Sequence, residues 1–311
     1  MQPTDTLSAA MGLGRPGTPV DVAPDVRRLL APNPSPFTGP GTNTYLVGQG
    51  GLAVIDPGPD NPAHLEAILQ AIRPEQRITH ILVTHAHLDH SPLARPLSEI
   101  TGAPVFAYGD AHSGRSEIMQ QLAAVSDLGG GEGTDLHFIP DHVVPDGALL
   151  SGDRWQMRAL WTPGHFGNHL CFALNGIIFT GDLVMGWSSS LVSPPDGDLT
   201  DFMSSCEKLT LLKADVFLPG HGPAVTDPHD RLAWLIAHRN AREASLLDAL
   251  TTQSATAEQL AALIYKDTPS HLLPAATRNV LAHLIDLTGK KKVAPVGPLH
   301  AEAIFQRLLE F

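Results

Sequence analysis

Between Thr84 and Ser91 the chain reads Thr84-His85-Ala86-His87-Leu88-Asp89-His90-Ser91, three imidazoles and a carboxylate within six residues. Imidazole nitrogen and carboxylate oxygen are the donors that zinc and similar borderline divalent metals take. His85 and His87 are two positions apart, so in extended backbone their rings point the same way. A solvated polar turn has no need of such a density of donors. Three later fragments share one design, an apolar run entering a glycine-bounded turn that exposes one further candidate. Leu160-Trp161-Thr162-Pro163-Gly164-His165 presents His165, Ile177-Ile178-Phe179-Thr180-Gly181-Asp182 presents Asp182, and Val216-Phe217-Leu218-Pro219-Gly220-His221-Gly222 presents His221. Glycine lets the backbone turn sharply and approach a ligand closely. Each fragment alone reads equally well as an ordinary strand end. All three following the histidine cluster in order point to one site.

The elements that must position these residues alternate between strand and helix. Ile78–Val83 is β-branched and apolar, a buried strand running into the histidines. Thr44–Val47 and Leu52–Ile55 flank Gly48-Gln49-Gly50-Gly51 and predict a hairpin. Pro62–Ile72 and Pro92–Thr101 predict helices, Pro104–Tyr108, Trp155–Trp161 and His169–Leu174 strands. Asp198–Leu212 predicts a helix capped by Asp198 or Thr200, burying Phe202, Cys206 and Leu209. Residues 1–41, rich in Pro and Gly, read as loop, and Gly129–Gly133, lacking the Lys and Ser/Thr of a nucleotide loop, as flexible surface. Beyond about residue 229 strands are expected to stop. Leu232–Leu250, Ala257–Tyr265 and Ala275–Leu287 are helical patterns, the Lys290–Pro298 stretch a small basic hairpin, and His300–Leu309 a last helix. That order outlines a winged helix-turn-helix unit or, equally, a packing or dimerisation domain, dividing the chain at 1–228 and 229–311.

Composition narrows the class. The 311 residues are 43% hydrophobic, with no apolar run of membrane-spanning length, which predicts a soluble globular protein. Met1–Gly14 lacks a basic segment followed by an apolar core, so no leader is expected and the cytoplasm is the default. Cys171 and Cys206 are too few for a disulfide framework. Residues 1–228 hold 11 Lys and Arg against 24 Asp and Glu, whereas residues 229–311 hold 9 against 8. An acidic catalytic portion is a poor polyanion binder, an objection that two bound divalent cations soften.

The succession HxHxDH at 85–90, TPGH at 162–165, GD at 181–182 and PGHG at 219–222 resembles the metallo-β-lactamase superfamily. That resemblance implies an α/β fold, an αββα sandwich with metals in a cleft at the sheet edges. It also implies that His85, His87 and His165 hold one metal and Asp89, His90 and His221 a second, with Asp182 bridging. Gly41-Thr42-Asn43-Thr44-Tyr45-Leu46-Val47, preceded by Asn33-Pro34-Ser35-Pro36, is similar to the lactamase-β-like hydrolases that carry a C-terminal winged-helix-like domain. The mitochondrial member of that group is a single-strand endoribonuclease. Those members often have Gly-Gly after the first motif and a basic residue within it, where this chain has Ser91-Pro92 and Leu88.

Seven ligands for two metals leave positions open, as catalytic zinc requires. Two ions ~3.5–4 Å apart share a hydroxide at neutral pH and stabilise both the attacked and the leaving oxygens. Asp89, besides ligating, is placed to orient that hydroxide and is the candidate catalytic residue. His169 is read either as a partner behind the ligands or as a plain strand-start histidine. Trp187 is either the floor of a substrate pocket or a core residue, and histidines 64, 80, 112, 137, 142, 229, 238, 271, 283 and 300 read as structural or surface. The functions that fit are cleavage of single-stranded RNA, hydrolysis of a small thioester, lactone or β-lactam, and a non-enzymatic nucleic-acid-binding regulator using Lys290, Lys291 and Lys292. In the resemblance, true β-lactamases lack the bridging carboxylate, and the large processing nucleases insert a domain between positions equivalent to Asp182 and His221. A homodimer is compatible with all of these.

Overall fold

A computed structural model describes residues 11–125, 127–131 and 133–308. Met1–Ala10, within the stretch read as leaderless, and Leu309, the end of the last expected helix, lie outside the described residues. The expectation of loop over residues 1–41 is corrected by β1 (Val20–Ala23) and β2 (Val26–Leu30). Arg27 and Arg28 disguise β2, yet all five of its residues are buried. Each guanidinium reaches a backbone carbonyl, Arg27 donating to Ala71 O at 2.6 Å and Arg28 to Leu13 O at 2.7 Å.

The expected hairpin forms from β3 (Asn43–Val47) and β4 (Gly51–Ile55), with Tyr45 opposite Ile55. Helix α1 (Pro62–Gln70), capped by Asn61, crosses over to β5 (Arg77–Leu82), which runs parallel to β4. Helix α2 (Ala94–Thr101), β6 (Val105–Ala107), α3 (Glu117–Val125) and β7 (His142–Val143) follow. These strands make a seven-stranded sheet in sequence order. Next come β8 (Leu149–Ser151), β9 (Gln156–Trp161), β10 (Leu170–Leu174), β11 (Ile177–Gly181), α4 (Leu199–Thr210, capped by Asp198) and β12 (Val216–Pro219). The second sheet has the order β12-β11-β10-β9-β8.

Side chains alternate faces along a strand, so the central strands feed two cores. Val47, Ala53 and Ile55 meet Met157, Phe172 and Phe179 between the sheets. Leu46, Val54 and Ile81 pack outward against Ile68 and Leu97 of α1 and α2. Cys171, Ile178 and Phe217 pack outward against Phe202, Cys206 and Leu209 of α4. Four layers result, helix, sheet, sheet, helix, and each fully buried Phe contributes about 1.5–3 kcal/mol by leaving water.

Past residue 227, α5 (Pro228–Ala249), β13 (Ala255–Thr256), α6 (Ala257–Ile264), α7 (Leu273–Gly289), β14 (Val293–Pro295) and β15 (Ile304–Arg307) build a smaller unit. Strands do not stop at residue 229, and the last expected helix is instead β15, paired with both β13 and β14. The reason is Phe305, which is fully buried between exposed neighbours, an alternation only a strand provides. This unit has its own core around Leu246, Leu260, Leu281, Leu284 and Phe305, extended by Met119 and Leu122 of α3. Among the described residues no helix is long and apolar enough to cross a membrane.

Candidate metal centre

The parallel strands β4 and β5 end side by side, Ile55 opposite Leu82. The next residue on β4, Asp56, sits at φ +50° and turns its carboxylate under the histidine loop. Its Oδ1 accepts the Thr84 N–H at 2.7 Å, and its Oδ2 accepts the Thr84 hydroxyl at 2.8 Å and His90 Nδ1–H at 2.9 Å. Because the Thr84 hydroxyl donates to Asp56, it accepts from His85 Nδ1–H at 2.9 Å. One carboxylate thereby fixes two imidazoles with a proton on Nδ1 and Nε2 facing the cleft, the atom left to take a metal. Asp56 was legible in the sequence only as part of an Asp-Pro-Gly turn.

All seven candidates converge. His85 Nε2 and His165 Nε2 lie 2.9 and 3.1 Å from His87 Nδ1. On the other side, His221 Nε2 is 3.3 Å from His90 Nε2 and 3.1 Å from Asp89 Oδ2. Asp182 stands between the groups, with Oδ2 3.2 Å from His221 and 3.8 Å from His165 and Oδ1 3.5 Å from His90. Donor atoms of His85, His87 and His165, of His85, His90 and Asp182, and of Asp89, His90 and His221 each lie within 4.8 Å of one another.

The other ends of these rings are tied to backbone carbonyls, His165 Nδ1–H to Leu191 O at 2.7 Å and His221 Nδ1–H to Gly41 O at 3.2 Å. His169 does stand behind the donors. Its Nε2 accepts the Asp182 N–H at 3.3 Å while Nδ1–H meets the Thr162 hydroxyl at 3.0 Å. Asn43 explains the sequence around it, donating through Nδ2 to Pro219 O and Gly222 O, both at 2.9 Å, while Tyr45 Oη–H reaches Pro219 O at 2.7 Å. Thus β3 holds the loop bearing His221. Asn168, another residue the sequence did not single out, accepts the Ala86 N–H at 3.2 Å. Gly220 is obligatory, since a Cβ there would lie 2.4 Å from Asp182 Oδ1.

Electrostatics divide the two groups. Burial, then His90 and His87, hold His85 well below the ordinary imidazole value. Burial and His165 push His87 down to about 3. Burial opposes charge on His90 and His221 too, but Asp89, Asp182 and Asp56 hold His90 well above that value, and Asp182 and Asp89 raise His221 to about 10. Burial by itself would raise Asp182, yet His221 and His90 bring it far below the carboxylate range. The carboxylates therefore favour a cation at these Nε2 atoms, and a divalent ion would displace protons on binding.

The residues fit metal ions. His90 Nε2 and His221 Nε2 face each other 3.3 Å apart with their Nδ1 protons committed elsewhere, so protons on both Nε2 atoms would crowd one another and a divalent ion in their place would remove the conflict. Asp182 Oδ1 is buried without a hydrogen-bond partner among the described residues. Asp89 is 27% exposed and marks the mouth of the site.

Apolar and glycine-rich residues flank that mouth. Leu88, next to Asp89, is 51% exposed. Trp187 is not a core residue: it is 37% exposed and donates to His221 O at 3.3 Å. Of the Gly129–Gly133 run, expected as flexible surface, Glu132 lies outside the described residues, while Gly131 and Gly133 are tied down. Gly133 O accepts the Leu88 N–H at 2.7 Å, and Gly131 N–H donates to Asp196 at 2.9 Å. The basic hairpin expected over Lys290–Pro298 does not form by itself: β14 pairs with β15, and the three lysines sit in the turn that ends α7, Lys290 lying 2.7 Å from Asp286 and 3.0 Å from Glu243 and Lys292 2.7 Å from Glu243.

Comparison with known proteins places these features. Residues 37–221 match the model of the metallo-beta-lactamase superfamily, and residues 256–297 that of the beta-lactamase associated winged helix domain. A beta-lactamase-like protein 2 homolog of Drosophila melanogaster is 31% identical over 285 residues, 86% of this chain and 90% of that protein. An atrochrysone carboxyl ACP thioesterase of Aspergillus fumigatus is 30% identical, over 74% of this chain and 67% of its own. Among solved structures, a metallo-beta-lactamase family protein of Thermus thermophilus superposes with a TM-score of 0.74 at 26% identity, covering 93% of this chain and all of that one. A match that spans every loop from His85 to His221 admits one conclusion: the chain belongs to the metallo-β-lactamase superfamily, as a hydrolase carrying a C-terminal winged helix domain.

Proposed function

We propose that the protein is a dinuclear, zinc-dependent hydrolase that cleaves a thioester with an apolar acyl group. The observation that carries the metal reading is Asp182, whose carboxylate stands between two three-donor groups. His85, His87 and His165 would hold one ion and Asp89, His90 and His221 the other, with Asp182 placed to reach both. Five nitrogen and two oxygen donors favour zinc. Two such ions supply a nucleophilic water at neutral pH and polarise the scissile carbonyl.

The chain's own groups do the rest. Asp89, tied to His221 on one side and open to solvent on the other, orients the attacking water at its free oxygen. Leu88 and Trp187 offer apolar contact to an acyl chain and exclude water around it. The thioesterase relative and the neutralised Lys290 and Lys292 support a thioester over RNA, whose backbone those lysines would have to meet. RNA cleavage is the second reading, favoured by the winged helix match. The catalytic part is taken as residues 1–228, and two buried free cysteines fit a reducing, cytoplasmic setting.

The test is a panel of a fatty-acyl thioester, a lactone, a β-lactam and single-stranded RNA, each with the zinc-loaded protein and after chelation. Expected are two zinc ions per chain and thioester turnover that chelator abolishes and zinc restores. Cleavage of RNA alone would replace the substrate assignment, and a metal-replete preparation without bound metal would overturn the whole reading.

A further inference from the structure

The C-terminal unit reaches the metal centre through a short polar relay. His165 owes its orientation to Leu191 O, which accepts its Nδ1–H at 2.7 Å. Leu191 lies in an irregular segment between β11 and α4, with no sheet ladder to hold it. What holds it comes from α5 and α7. Asn279 Oδ1 accepts the Val192 N–H at 3.0 Å, and Arg239 donates to Ser190 O. Arg239 Nη1 also donates to that same Asn279 oxygen at 3.1 Å, so the two side chains grip residues 190 and 192 on either side of Leu191. Arg239 is 2% exposed and its guanidinium lies 4.9 Å from the centre of the Phe202 ring, which fixes its plane. Next to Asn279, Arg278 Nε donates to Ser193 Oγ at 2.9 Å and extends the grip by one residue.

We infer that Asn279 and Arg239 are positioning residues for the first metal, acting through the Leu191 carbonyl on His165, so that the C-terminal unit completes the centre by bracing one of its loops. The inference rests on the ligand assignment proposed above. Partners behind a metal-bound histidine, when removed, typically cost ten- to a hundred-fold in metal affinity. The relay touches His165 and leaves Asp89, His90 and His221 alone, so one of two metals should respond.

The experiment compares wild type with Asn279→Ala and Asn279→Asp, the latter keeping the acceptor oxygen. Zinc affinities come from competition with a chromophoric chelator, and coordination from the absorption spectrum of the cobalt-loaded proteins. Expected is a ten- to hundred-fold loss at one site in Asn279→Ala, with an altered cobalt spectrum, unchanged affinity at the other site, and recovery in Asn279→Asp. If Asn279→Ala does not fold, Arg239→Lys carries the same expectation, because an ammonium cannot span both Ser190 O and Asn279 Oδ1 as the planar fork does. Wild-type affinity at both sites in the folded variant, or equal loss in Ala and Asp, overturns the inference. Absence of metal from the wild type would instead refute the metal reading.

Discussion

Asp56→Asn is the sharpest test of how the centre is held. Asn keeps the shape, tolerates φ +50° better than most residues, and retains one carbonyl oxygen. In either orientation of its amide, however, one oxygen becomes an NH2 group. With the oxygen kept on the Thr84 N–H, the NH2 faces the Thr84 hydroxyl and His90 Nδ1, which lie 2.8 and 2.9 Å from the native oxygen. His90 then either places two donors in contact or moves its proton to Nε2, the atom needed for metal. The Thr84 hydroxyl, now an acceptor from the amide, is free to donate to His85 Nδ1, which shifts that ring the same way. One substitution thus disturbs a histidine in each three-donor group. Taking a ten- to hundred-fold loss per disturbed ligand, about 1.4–2.7 kcal/mol, both zinc affinities should fall. Chelator competition on the zinc-loaded protein measures this, with circular dichroism confirming the fold. Two wild-type affinities in a folded Asp56→Asn would refute the tautomer argument.

Gly220→Ala should lower turnover about a hundred-fold or more, because its methyl group would lie 2.4 Å from Asp182 Oδ1 and 2.7 Å from His90 Cε1, and steady-state kinetics will show it. His283 is buried, with neither ring nitrogen hydrogen-bonded among the described residues, and burial, then Arg239, pushes its pKa down to about 3. Since the unfolded chain takes up that proton near pH 6.5, the stability it contributes is full above pH 6.5 and is lost as pH falls towards 3. His283→Leu should therefore gain about 2 kcal/mol on wild type between pH 7.5 and pH 5 in urea unfolding, and parallel curves would contradict this. Replacing Lys290, Lys291 and Lys292 together by Ala should cost about 1 kcal/mol or less per exposed pair and leave turnover of the proposed thioester substrate and its salt dependence unchanged. A salt-dependent loss of RNA cleavage would return those lysines to the substrate.

What the sequence conveyed of the centre was its candidate donors, four in one dense cluster after β5 and three where a strand runs into a glycine turn, which the structure brings together. The partners behind them were hidden. Asp56 occupies a turn that any hairpin end tolerates, and only the parallel register of β4 and β5 brings it beneath His90. Asn168 and Asn279 carry no local mark at all, since their roles are defined by backbone groups 82 and 87 residues away. The missed strands have the same cause. Arg27 and Arg28 break the apolar pattern of β2 but find carbonyl partners on neighbouring segments, and Phe305 becomes a strand residue only because β13 and β14 are there to pair with it. Exposure of the glycine run was legible, whereas its tether to Leu88 was not.

The clasp between β3 and the His221 loop has a kinetic side. Asn43 bonds Pro219 O and Gly222 O across 176 and 179 residues, and His90 meets His221 across 131. Closing loops of that length is entropically costly, and contacts so distant in sequence form late. Metal uptake should therefore follow the docking of the two sheets and serve as a clock for the last step of folding. Each ion of the proposed pair would fasten segments far apart in the chain, in the manner of a cross-link. Zinc concentration would then set the lifetime of the folded chain as well as its activity, and depletion should expose the 219–222 turn to proteases before any other part of the sandwich opens.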